Sequence, residues 1–211
     1  MIEKRLPARV MLKQADLTDE DQINAIINDL VLHYGGVDIL VSNAGTAPQA
    51  SLLEMETEIL RRSFDINFFA HFHLAKAVGR LFVKQGNKGQ MLFNISKQAI
   101  NPGRNFGAYG LPKAALMFLV KQLTLELGEH GVRVNGVNAD RIRSGILNDG
   151  MIANRAEARR VSEDEYMKGN LLRQEVEARH VADAFVHLTL SDRTTGHVMT
   201  VDGGNIEASL R

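Results

Sequence analysis

Tyr109-Gly110-Leu111-Pro112-Lys113 is the stretch best suited to proton chemistry. Four residues apart on a helix, Tyr109 and Lys113 leave from one face. Proline is tolerated only near a helix start, so Pro112 predicts that the pair lies in the first turns. A phenol titrates at about 10, too high for proton transfer at neutral pH. An ammonium nearby favours the phenolate and brings the group toward a useful range. Taken alone, the pair reads equally well as two solvated residues on a helix face.

Ser96 lies thirteen residues before Tyr109, directly after the apolar run Met91–Ile95. A hydroxyl at the tip of a strand is placed to hydrogen-bond a carbonyl, although a turn serine is the commoner role. Asn67 sits within Phe64-Asp65-Ile66-Asn67-Phe68-Phe69-Ala70. An amide in so apolar a helix must be hydrogen-bonded, either in a site or as a cap on some backbone group. Ser42-Asn43-Ala44-Gly45 follows another apolar run, where small residues let a ligand approach the backbone closely or simply make a βα turn. Val201-Asp202-Gly203-Gly204 by itself reads as a turn.

The elements that must carry these residues alternate. Strands are expected at Ala8–Leu12, Val37–Val41, Met91–Ile95, Val132–Val137 and His197–Val201. Helices are expected after Thr18-Asp19-Glu20-Asp21, over Leu52–Leu81, Tyr109–Leu127 and Ala178–Leu190. The first helix carries an Ile23, Ile26, Ile27, Leu30, Val31, Tyr34 stripe and closes at Gly35-Gly36. The unbroken apolar run of Val37–Val41 suits a strand buried on both faces. Such alternation predicts an α/β fold with right-handed crossovers and a parallel sheet, in which ligands sit beyond the carboxyl ends of the strands. Every residue singled out above falls at such an end.

Composition narrows the function. The 211 residues make one domain, 1–211, with no repeat or linker. Twenty-five basic residues balance 25 acidic ones, so no long-range field favours nucleic acid or anionic lipid. No apolar run is long enough to span a membrane, and no signal core follows Met1, which predicts a cytoplasmic protein. The absence of cysteine removes disulfides, thiolate zinc sites and thiol nucleophiles. His71 and His73, two apart on a helix, point to different faces, so no metal is expected.

Asn-Ala-Gly, then Asn67, Ser96, Tyr-x-x-x-Lys and Asp-Gly-Gly is the succession that marks the short-chain dehydrogenase/reductase family, which the chain resembles from about Ala8 onward. Asn94–Gly103 and Asn138–Gly145 are most similar to the dehydrogenase half of two-domain proteins that join a sugar-phosphate aldolase to such a domain. The resemblance implies a Rossmann-like, doubly wound sheet and hydride transfer between NAD or NADP and a small, sugar-derived alcohol or carbonyl compound. It implies a tetrad in which Tyr109 is the general acid/base and Lys113 holds the nicotinamide ribose and lowers the phenol's pKa. Ser96 would orient the substrate oxygen, and Asn67 would support a water leading to Lys113. It further implies cofactor contacts from Asp16 and Leu17 at the adenine, Asn43, Ala44 and Gly45 along the adenosine, and Ile142 and Ser144 near the carboxamide. A homodimer or homotetramer is the family habit, and the apolar excess of the two long helices agrees with it.

Two departures stand out. Ala139-Asp140 replaces the family's Pro-Gly, placing an acid near the nicotinamide end. No Gly-x-x-x-Gly-x-Gly run exists, and the likeness enters at what should be the third strand, so the chain reads as a truncated member lacking the first two strands and the phosphate loop. Val37–Val41 would then present an open apolar edge. The polar stretch at about 145–172 matches the family's substrate lid, though its charges equally suit a solvated excursion. A catalytically inactive remnant serving as a binding or assembly module is the alternative to an enzyme. The nucleotide-sugar epimerase branch, which shares Tyr-x-x-x-Lys, is disfavoured by the Asp-Gly-Gly ending.

Overall fold

The computed structural model describes residues 10–205. Four strands, β1 (Ile39–Ser42), β2 (Gln90–Asn94), β3 (Arg133–Ala139) and β4 (Val198–Val201), pair in that order and all in parallel. The helices are α1 (Glu20–Tyr34), α2 (Thr57–Phe64), α3 (Ala70–Gln85), α4 (Gly107–Leu127), α5 (Asp149–Arg159), α6 (Glu163–Met167) and α7 (Ala178–Leu190). The architecture is the expected Rossmann-like α/β sheet, with α7 found over the predicted residues.

Side-chain alternation along β2 divides the core. Met91 and Phe93 join the large cluster with Val78 and Phe82 of α3 and Leu116 and Val120 of α4, while Leu92 joins Val181, Ala184 and Leu188 of α7 on the other face. Helix α1 opens on Asp19, whose carboxylate accepts from the N–H groups of Asp21 and Gln22, and closes at left-handed Gly35. Ile23 and Ile27 of its stripe are buried, whereas Tyr34 is exposed.

Several expectations are corrected. Val10–Leu12 of the first predicted strand lie outside any strand, and Ala8 and Arg9 lie outside the described residues. β1 begins at Ile39 because the Gln85 side chain binds the Val37 N–H and carbonyl at 3.0 and 2.8 Å in place of a neighbouring strand. β1 is also not buried on both faces: Ile39 and Val41 are 45% and 50% exposed, so double winding covers β2–β4 only. The helix predicted over Leu52–Leu81 starts at Thr57, because Leu52 and Leu53 are exposed turn residues. It is also interrupted by a π-helical turn at Asp65–Phe69. The remaining strands shift by one or two residues.

Candidate active site

The carboxyl ends of β2 and β3, the start of α4 and helices α5 and α6 enclose a cleft of about 350 Å³. Tyr109, Ser96, Ile142 and Ser144 line it. Ser96 lies two residues beyond the end of β2 and caps the 3-10 turn Lys97–Ala99, its Oγ accepting from the Gln98 N–H at 3.2 Å. The N-terminal turn of α4 rests on this turn: a Cβ at Gly110 would lie 2.9 Å from the Gln98 carbonyl oxygen. Glycine beside Tyr109 thus permits the approach that brings the phenol to Ser96.

Lys113 is 3% exposed and donates to the Asn94 carbonyl at 2.9 Å, with its Nζ 5.9 Å from the Tyr109 ring centroid. Burial pushes the Lys113 ammonium down to about 7. It also raises the Tyr109 phenol above its ordinary range, while a hydrogen bond with Ser96 pulls the other way. The lowered phenol expected from the ammonium is therefore not what this arrangement produces; desolvation of the buried hydroxyl outweighs the pull from Ser96.

Asn67 occupies the π turn. Its Nδ2 donates to Ser63 Oγ at 3.0 Å and its Oδ1 accepts from the Thr46 N–H at 3.1 Å. Ser63 in turn donates to the Ala108 carbonyl at 2.7 Å. Ala108 is four residues before Pro112, which has no N–H to offer it, so Ser63 supplies the missing donor. Both the Asn67 and Ser63 side chains thus satisfy α4 and the Gly45–Thr46 turn. No direct bond joins Asn67 to Lys113 among the described residues.

The Asn43–Gly45 turn is held from below. Asn94 Nδ2 donates to Asn43 Oδ1 at 2.6 Å. His71 Nε2 lies 2.9 Å from the Ala44 carbonyl and must donate to it, so Nδ1 accepts from the Ser42 hydroxyl at 2.6 Å. Burial and the charge of Lys113 push His71 down to about 3, keeping it neutral. His73 turns away toward Glu20.

Asp140 is half-buried, and its Oδ2 takes Lys97 at 3.0 Å, Asn205 at 2.9 Å and Arg141 at 3.4 Å. Arg141 has a left-handed φ of 36°, held by bonds to the Tyr166 and Gly169 carbonyls. Ser144 accepts from the N–H groups of Ile146 and Leu147, and Ile142 packs against the α7 cluster. Asp16 and Leu17 are not drawn to the cleft by any contact: Asp16 binds Thr18, and Leu17 packs against the main core. The 145–172 segment supplies Met151, Arg155, Arg159 and Tyr166 to the cleft wall, and buries Ile152, Ala156 and Met167 beneath it. Sequence reasoning missed Ser63, His71 and Arg155; of these only Ser63 had a signal, through the carbonyl that Pro112 must leave free.

A parallel sheet with a tyrosine, lysine and serine gathered at its carboxyl end defines an oxidoreductase-like α/β domain. A family model described as Enoyl-(Acyl carrier protein) reductase matches residues 1–205. The chain is 30% identical over 204 residues to the uncharacterized oxidoreductase YuxG of Bacillus subtilis, covering 93% of this chain and 30% of that protein. It is 30% identical to short-chain dehydrogenase reductase 5 of Arabidopsis thaliana, covering 90% of this chain and 73% of that one. A solved structure of an ElxO variant with NADPH bound superposes with a TM-score of 0.83 at 25% identity, covering 97% of this chain and 84% of that one. The chain belongs to the short-chain dehydrogenase/reductase family.

Proposed function

We propose that the domain is an NAD(P)-dependent oxidoreductase that interconverts a small, sugar-derived alcohol and its carbonyl compound, with Tyr109 as general acid/base. The observation that carries this reading is the placement of Lys113, fixed on the Asn94 carbonyl one helical turn beyond a phenol that lines the same cleft as Ser96.

The residues present fit the nicotinamide half of a dinucleotide. Lys113 gives one N–H to Asn94, which leaves two for a ribose diol. A Cβ at Gly45 would come within 2.9 Å of Asn67 Oδ1 and 3.8 Å of Lys113 Nζ, so glycine keeps this approach open. Asn43, Ala44 and Gly45 would follow the adenosine side, Ile142 and Ser144 the carboxamide, and Asp16 and Leu17 the adenine. The cofactor, when bound, exchanges the hydride. In the reducing direction Tyr109 gives its hydroxyl proton to the substrate oxygen, while Ser96 donates a hydrogen bond that orients it. In the oxidising direction the phenolate takes the alcohol proton. Lys113, with two hydroxyls and the phenolate as partners, would be drawn back toward its charged form and would then lower the phenol. Asn67 contributes by holding Thr46 and Ser63 and thereby the turn and helix on either side of Lys113.

Other parts of the reading have separate support. The open flank of β1 supports a longer parent domain with two more strands beside it. The likeness of Asn94–Gly103 and Asn138–Gly145 is the ground for an aldolase partner domain in the whole protein. Leu111, Phe118 and Leu125, seven apart on α4 and all exposed, form an apolar stripe that supports a homodimer or homotetramer. No described helix is long and apolar enough to cross a membrane.

Fluorescence titration with NADH and NADPH, followed by a turnover screen over small alcohols and carbonyl compounds, tests the proposal. Saturable binding and turnover are expected; an inactive remnant would show neither.

A further inference from the structure

We infer that the substrate taken by this cleft carries a phosphate or carboxylate group, gripped by Arg155 and Arg159 of α5. The inference rests on the oxidoreductase reading for the word substrate, but the anion site itself stands on its own geometry.

Although the chain as a whole balances 25 basic against 25 acidic residues, the cleft does not. Lys97, Arg104, Arg141, Arg155 and Arg159 line it, and Asp140 is the only carboxylate among the described residues that do. Lys97 and Arg141 are occupied by that carboxylate. Arg155 and Arg159 have no carboxylate partner among the described residues. Arg155 is half-buried; its Nε donates to the Tyr166 hydroxyl at 2.9 Å, and its Nη1 reaches only Gln49, at 3.4 Å. Arg159 makes one long bond, to the Arg155 carbonyl at 3.4 Å.

Aromatic faces set the two guanidinium groups in place. Arg155 lies 4.2 Å over Phe106, and Arg159 lies 5.3 Å over Tyr166. Such stacking fixes the planes and leaves Nη2 of Arg155, and the Nε and Nη2 fork of Arg159, without a bond among the described residues, donors able to receive an oxyanion. A half-buried guanidinium without a counter-ion is unfavourable, and a bound anion removes the penalty. Phe106 also connects this patch to the proposed acid/base, because its ring centroid lies 6.3 Å from that of Tyr109. A short carbon chain could therefore present an oxygen to Tyr109 while its anionic end meets Arg155.

Isothermal titration of inorganic phosphate and of acetate, each with and without NADPH, tests this on the full chain and on Arg155→Gln and Arg159→Gln. Saturable anion binding that persists with NADPH present and weakens about tenfold or more in the variants is expected. A preference for phosphate marks a phosphorylated substrate, and a preference for acetate marks a carboxylate. Arg159 is exposed, so its variant carries the test even if Arg155→Gln unfolds. Absence of saturable binding, displacement of the anion by NADPH, or undiminished binding in the folded variants would each overturn the inference. Anion binding without any NADPH binding would instead sink the oxidoreductase reading and leave the anion site standing.

Discussion

The Ser63 hydroxyl donates to the Ala108 carbonyl at 2.7 Å, the oxygen that Pro112 leaves without its helical N–H. A proline in the second turn of α4 is thus accommodated by a side chain from α2, which also receives Asn67. Ser63→Ala should destabilise the fold by about 1–3 kcal/mol, since a buried carbonyl and the Asn67 amide both lose a partner. In a Pro112→Ala background the residue at 112 regains its N–H, and the same change should cost less. Urea denaturation of the four proteins in a double-mutant cycle checks this; equal effects in both backgrounds would contradict it.

Lys113 should make stability rise with pH. An unfolded lysine keeps its proton up to about 10.5, whereas burial lets the folded one release it near 7. Between these values the unfolded chain binds more protons, so alkalinity favours the fold, and below pH 7 the full penalty applies. The shift corresponds to a penalty on the order of 5 kcal/mol below pH 7. Urea midpoints at pH 7 and pH 10 should therefore differ less in Lys113→Met than in the wild type, with the variant the more stable at pH 7.

His71 acts with the same sign in an acidic window. Its ring stays neutral in the fold down to about pH 3, whereas an unfolded histidine takes a proton below about 6.5. Acidification across that range therefore favours the unfolded chain and lowers stability. His71→Phe keeps a ring but leaves the Ser42 hydroxyl and the Ala44 carbonyl without their partner. It should cost roughly 2–4 kcal/mol at pH 7, lose this component of the acid sensitivity, and weaken NADPH binding through the loosened turn. Melting at pH 7 and pH 4, with a fluorescence titration, measures all three.

Asp140 is the hub of a cationic patch. Asp140→Ala would leave Lys97, about nine-tenths buried, with an uncompensated charge and should destabilise by roughly 3 kcal/mol. Adding Lys97→Met should recover much of the loss. Chemical denaturation of the single and double variants decides whether the pair matters to the fold or only to the cleft.

Much of this was readable in the chain. Helix α7 was plain because Val181, Ala184 and Leu188 recur at helical spacing and all bury on one sheet face. Tyr109, Lys113 and Ser96 were legible as a group only through their order along the chain with Asn-Ala-Gly, Asn67 and Asp-Gly-Gly, the succession that resembles the family's; each residue alone was a weak signal. What misled was apolarity without burial. Val37 looks like strand, but its backbone is satisfied by Gln85; Leu52 and Leu53 look like helix, but point into solvent. The cap on Ala108, the His71 bridge and the cations of α5 depend on contacts between elements far apart in sequence, which no local pattern carries.

Turnover by Tyr109→Phe tests the central claim most directly, measured beside NADPH affinity on the same protein and with the best compound from an alcohol and carbonyl panel. The account predicts a fall in kcat of about a hundredfold to ten-thousandfold with NADPH affinity changed less than about threefold, because only the transferable proton is gone. A variant that keeps wild-type turnover would contradict it.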